Sequence, residues 1–199
     1  MKAAIRTLAP AADILVELFD GSKDRLARFL LRHTYFISPE RIAQLARKED
    51  SFACFPDCVR ESREHHKGKR RKDVSIWNGR EVKVCDNTTA RLAFARFTKL
   101  VMAGDRESRI RGYHVAHIWE RVYDPHCFTA GWNLCLMPGF LKLFTEQQDP
   151  IQELQVVIRQ AAYDLYFRNE TLGLTAPPFV SDPGLDLPSR FSDLILNLL

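Results

Sequence analysis

Between Arg109 and Gln147 the chain reads as strand, loop, strand and short helix, and this order constrains the fold more than any other feature. Arg109 to Trp119 is an apolar run with His117 near its end, Glu120 to Gly131 is polar, Trp132 to Met137 is a second strand, and Pro138 to Gln147 is helical. Asn133 falls sixteen residues after His117 and opens the stretch Asn-Leu-Cys-Leu-Met-Pro138. A β-β-α unit with a histidine closing its first strand makes hydrolysis of nucleic acid the hypothesis to test.

Phosphodiester hydrolysis needs a base to activate water, a cation to stabilise charge developing on phosphorus, and protonation or coordination of the leaving oxygen. A histidine suits the first role, because its ordinary pKa lies near neutrality. The segment from Tyr113 to about Gln147 resembles the HNH, or His-Me finger, endonucleases. His117-Ile118 aligns with that family's Asp-His-Ile, and Asn133-Leu-Cys-Leu-Met with its Asn-Leu-x-x-Leu. The resemblance implies an α+β fold with a ββα-metal core, a divalent ion (Mg²⁺ or Mn²⁺), His117 as general base and Asn133 as the residue orienting the catalytic loop.

Two positions depart from the pattern. The metal-binding acid expected before the base is Ala116, and the helical ligand expected about nine residues beyond the asparagine is Lys142. An active metal site would then draw on other residues, with His114, Asp124 and His126 as the candidates and Glu120 nearby. His114 comes first, since it leaves the strand on the same face as Ala116. Lys142 supplying the positive charge in place of a metal is a second solution, and loss of catalysis with retention of binding is a third. A histidine in an apolar strand is otherwise most often a satisfied core residue.

Elsewhere, Ile14, Leu15, Leu18, Phe19, Leu26, Phe29 and Leu30 fall at helical spacing around Gly21-Ser22, which predicts two amphipathic helices. Ser38-Pro39 starts a third, with Ile42, Leu45 and Ala46 inward. Such helices suit ordinary packing better than a helix-turn-helix reader. Arg60 to Lys72 has no aliphatic residue and ends in Lys67, Lys69, Arg70, Arg71 and Lys72, a segment suited to phosphate contacts or to plain solvation. Val74-Ser-Ile-Trp77, Asn78-Gly79 and Arg80 to Val84 predict a β-hairpin. Asp86-Asn-Thr-Thr89 caps a helix with Leu92, Phe94, Ala95, Phe97, Leu100 and Val101 inward, ending near Gly104. Pro150 to Tyr166 predicts a longer helix, Thr171 to Ser189 coil, and Phe191 to Leu199 a last helical turn.

Five cysteines are an odd number that argues for reduced thiols rather than a disulfide framework. Cys54 and Cys58, with His65 and His66 following, are half of a structural zinc site or buried unliganded thiols. No apolar run approaches the roughly 20 residues of a membrane span, and no signal peptide is evident, so a soluble cytoplasmic protein is expected. The predicted organisation is a helical lobe with a basic loop over 1–72, a nuclease core over 73–170 and a C-terminal coil and short helix over 171–199. The leading reading is an endonuclease acting on DNA, of restriction or defence type, working as a homodimer. The alternatives are a non-catalytic DNA-binding or assembly protein on the same scaffold, with the phosphate contacts of the basic segment and Lys142 retained, and a helical interaction module.

Overall fold

A computed structural model of the chain describes residues 17–49, 51–61, 65, 66, 68–100, 112–141, 152–168 and 173–184. Helix α1 (Lys23–Arg32) starts at Ser22, whose hydroxyl accepts from the Arg25 amide at 3.3 Å. Asp24 in the first turn and Arg32 in the last complement the helix dipole. Leu26, Leu30 and Leu31 form its buried stripe. Strand β1 (Tyr35–Phe36) and helix α2 (Pro39–Glu49) follow; Ile42 is fully buried, while Leu45 and Ala46 are half-buried.

Strands β2 (Cys58–Arg60), β3 (Val74–Trp77) and β4 (Arg80–Cys85) form a small sheet in the order β2-β4-β3. The β3–β4 hairpin closes on Asn78 and Gly79, whose φ values of 48° and 79° fit a turn with the right-handed twist of its strands. Val59, Val82 and Val84 pack with Trp77 as a satellite core beneath this sheet. Helix α3 (Asn87–Thr98) is capped by Asp86, which accepts from Thr88 N at 3.0 Å, and ends on left-handed Lys99. Its buried residues are Ala90, Ala93, Phe94, Phe97 and Thr98. Leu92, expected inward, is 58% exposed because the packed stripe recurs at three and four residues from Ala90 and passes it by.

Strand β5 (Tyr113–His117) and strand β6 (Leu134–Pro138) pair antiparallel, with His117 opposite Leu134 and Tyr113 opposite Pro138. The loop between them carries a short helix α4 (Pro125–Phe128) and a 3₁₀ turn (Gly131–Asn133). β1 pairs with the other edge of β6, giving the order β1-β6-β5. Helix α5 (Gln152–Tyr166) packs on α1, and its fully buried Tyr166 donates a hydrogen bond to the Ile37 carbonyl at 2.8 Å. One hydrophobic core takes side chains from α1, β1, α2, α3, β5, β6 and α5. The fold is α+β, with two small sheets and several helices. The expected helix at 138–147, the end of the helix beyond Leu100 and the last helical turn fall largely or wholly outside the described residues. Residues 173–184 form no regular element. Among the described residues no helix is long and apolar enough to cross a membrane.

Candidate functional site

His117 ends β5 at the entrance to the 118–133 loop, half-buried, with its ring stacked on Phe128 at 5.6 Å between centroids and 16° between planes. Its Nε2 lies 3.0 Å from the Phe128 carbonyl oxygen. A carbonyl can only accept, so Nε2 carries the proton, and in the neutral ring Nδ1 carries the lone pair. The tautomer is therefore set by a backbone group two residues past His126.

Asn133 is fully buried and holds both ends of the loop. Its Oδ1 accepts from the Trp119 amide at 2.8 Å, its Nδ2 donates to the Cys127 carbonyl at 3.0 Å, and its own carbonyl accepts from the Ile118 amide at 3.0 Å. Only a carboxamide offers an acceptor and donors together at this position. Cys127 sits in α4, whose last residue supplies the carbonyl on His117, so Asn133 positions His117 through α4. Glu120 and Arg121, with φ of 58° and 32°, turn the chain out of β5. Trp119 and Trp132 are buried and in contact at 5.7 Å, which makes them packing residues.

The three metal candidates are not gathered around His117. His114 stands three positions earlier on the strand and so projects from the opposite face. It lies against Gly139, where a Cβ would meet its ring carbon at 2.7 Å. Asp124 caps α4 by accepting from His126 N at 2.9 Å. His126 is exposed and lines a groove with Trp132. Ala116 is a core methyl opposite Cys135. Among the described residues no group of three or more His, Cys, Asp or Glu side chains is placed to hold a metal ion.

Arg159, which the sequence reading passed over, reaches the site from α5: its Nε donates to the Ile118 carbonyl at 3.2 Å, and a terminal nitrogen lies 3.9 Å from Glu120. A signal exists in the sequence, since Gln155, Arg159, Ala162 and Tyr166 form one helical stripe in which a cation stands among inward residues.

Lys69, Arg70, Arg71 and Lys72 are exposed, while Lys67 and Lys142 lie outside the described residues. The segment is ordered by local bonds: Arg70 N donates to Asp73 at 2.7 Å, Lys72 N to the Val84 carbonyl at 2.8 Å, and Arg71 pairs with Asp86 at 3.1 Å. His66, 1% exposed, ties it to the loop after His117. Its Nε2 donates to the Tyr123 carbonyl at 3.0 Å, which leaves Nδ1 of the neutral ring to accept from the Ser75 hydroxyl at 2.9 Å. His65 stacks on the Tyr123 ring at 3.7 Å, and Arg60 N donates to the Val122 carbonyl at 2.7 Å. The sequence offered His66 only as half of a zinc site, because its partner lies 57 residues away.

The two thiols of the Cys54–Cys58 pair have different neighbours. Cys54 is buried and accepts from Arg96 at 3.7 Å, whereas Cys58 hydrogen-bonds Cys85 on the neighbouring strand and the two histidines turn to Tyr123. Burial first, then the Cys85 thiol, pushes Cys58 up to about 12. Burial likewise raises Cys127 and Cys135 well above the ordinary thiol range. Both are packing thiols.

No curated protein and no solved structure matches the chain. A family model does match, over residues 60–172, which is more than half of the chain and runs from the end of β2 past α5. The matched region contains His117, Asn133, His66, the basic segment and Arg159, and the chain belongs to the family described as Uncharacterised protein PM1201.

Proposed function

We propose that the chain is an endonuclease that hydrolyses phosphodiester bonds of DNA through a ββα site, in a restriction or defence setting, with His117 as general base. The observation that carries this reading is the 3.0 Å bond from His117 Nε2 to the Phe128 carbonyl, which holds the imidazole at the end of the first strand, at the entrance to the loop that Asn133 clamps. In the reaction His117 takes a proton from water, the resulting hydroxide attacks phosphorus, the P–O bond to the leaving oxygen breaks as that oxygen takes a proton from solvent, and His117 then releases its own proton to solvent. Asn133 keeps the base in place through α4. Lys69 to Lys72 hold the DNA backbone, and their link through His66 to Tyr123 sets the bound phosphates relative to the loop after His117. A divalent ion (Mg²⁺ or Mn²⁺) or, in its place, Lys142 would supply the positive charge opposite the developing charge on phosphorus. A homodimer cutting one strand with each subunit completes the reading.

One observation favours a second reading, a DNA-binding or assembly protein without catalysis: Ala116, a buried methyl, stands where the resembling nucleases carry an acid. Supercoiled plasmid incubated with the protein in Mg²⁺, in Mn²⁺ and in EDTA separates the two. Nicking in any arm supports the nuclease, and nicking in EDTA identifies the metal-free form. Salt-sensitive binding without nicking in all three arms overturns the enzyme and leaves the binder.

A further inference from the structure

A groove of about 650 Å³ opens on the side of the 118–133 loop that carries His126. Two aromatic residues line it, the largely buried Trp132 (4% exposed) and the half-buried Phe52. Its rim is polar, with the exposed side chains of Arg80, His126 and Thr175 and the half-buried Ser51. Among the described lining residues there is no carboxylate. Asp57 pairs with Arg80 at 2.5 Å from outside the lining, through one terminal nitrogen. A guanidinium has five N–H donors, so the rest of the fork is available to an anion while that pair persists.

Apolar and aromatic lining beside exposed donors suits a ligand with one apolar ring and one anionic group. A nucleotide has both: the base packs against Phe52 and Trp132, and the phosphate takes N–H donors from Arg80 and His126. The groove is also joined to the proposed base. Helix α4 places His126 on the groove and, two residues later, the Phe128 carbonyl on His117.

We infer that this groove is a nucleotide subsite, holding one nucleotide of the DNA strand beside the phosphate presented to His117. The inference deepens the nuclease reading and rests on it for the identity of the strand.

The test is calorimetric titration of the full chain with deoxyguanosine 5′-monophosphate, with deoxyguanosine alone and inorganic phosphate alone as parallel arms. Arg80→Gln and His126→Asn alter exposed side chains and leave the core intact. The expected result is that the mononucleotide binds more tightly than either fragment, that each variant weakens it about tenfold, and that Lys69→Gln with Arg71→Gln does not. Inorganic phosphate binding as tightly as the mononucleotide overturns the subsite, as does weakening by the basic-segment variant alone, or absence of mononucleotide binding. His117→Ala is expected to bind the mononucleotide like wild type while failing to nick plasmid. Nicking without mononucleotide binding therefore removes the groove and spares the nuclease, and mononucleotide binding without nicking does the reverse.

Discussion

Replacing Asn133 by Ala strands the buried Trp119 amide and removes the side-chain donor from the Cys127 carbonyl, which keeps only the backbone amide of Ala130 at 3.3 Å and its cap contact. A stranded buried amide costs about 1–3 kcal/mol, so Asn133→Ala is expected to destabilise the fold by about 1–3 kcal/mol in urea denaturation. A loss below about 0.5 kcal/mol, the range of surface substitutions, would mean that the clamp does not hold the loop. At the same scale, Cys58 is expected to resist alkylation. Its thiolate forms only near pH 12, so at pH 8 its thiolate fraction is on the order of a thousandfold below that of a free thiol, and, after the partial offset from the greater nucleophilicity of a more basic thiolate, iodoacetamide should label it at least about a hundredfold more slowly. Labelling should accelerate as pH rises toward 12; a rate at pH 8 equal to that of a small free thiol would contradict the buried, Cys85-bonded thiol.

At the scale of elements, Gly131 shows how helices and loop are fitted together. A Cβ there would meet Ile42 of α2 at 2.7 Å and Phe97 of α3 at 3.1 Å. Gly131→Ala is therefore expected to cost about 1–3 kcal/mol by overpacking, measurable as a lower midpoint in thermal unfolding, whereas an unchanged midpoint would mean that the two helices yield freely. Elements whose signals are local were legible in the sequence. The hairpin was read from Asn78-Gly79 and the observed strands are Val74–Trp77 and Arg80–Cys85; the start of α3 was read from its Asp86 cap. The second strand of the loop unit was expected from Trp132 but begins at Leu134, because Gly131–Asn133 form a 3₁₀ turn that draws Asn133 inward. β1 and β2 were not foreseen, since strands of two and three residues are too short to show a period. The same division holds at the site. His117 ends one strand and Asn133 stands in the turn leading into its partner strand, so both were readable from their spacing, while Arg159 and His66 meet partners 41 and 57 residues away, which no local pattern reports.

For the whole molecule, His66 joins the exposed basic segment to the loop after His117, on a chain with a net charge of +4. Replacing Lys69, Arg70, Arg71 and Lys72 together by Gln is expected to lower DNA affinity and to flatten the log–log salt dependence. Each lost phosphate contact removes about 0.9 from the slope, so a total change of about two to three and a half is expected in filter-binding titrations. An unchanged slope would place the phosphate contacts elsewhere. The central claim is that His117 is the base. The most direct measurement is the single-turnover nicking rate of supercoiled plasmid by wild type and His117→Ala, at protein concentrations giving equal DNA occupancy. Wild type is expected to nick, and His117→Ala to be slower by at least about a hundredfold, the lower end for loss of a general base, with DNA affinity within about twofold of wild type. Equal rates for the two proteins would contradict it.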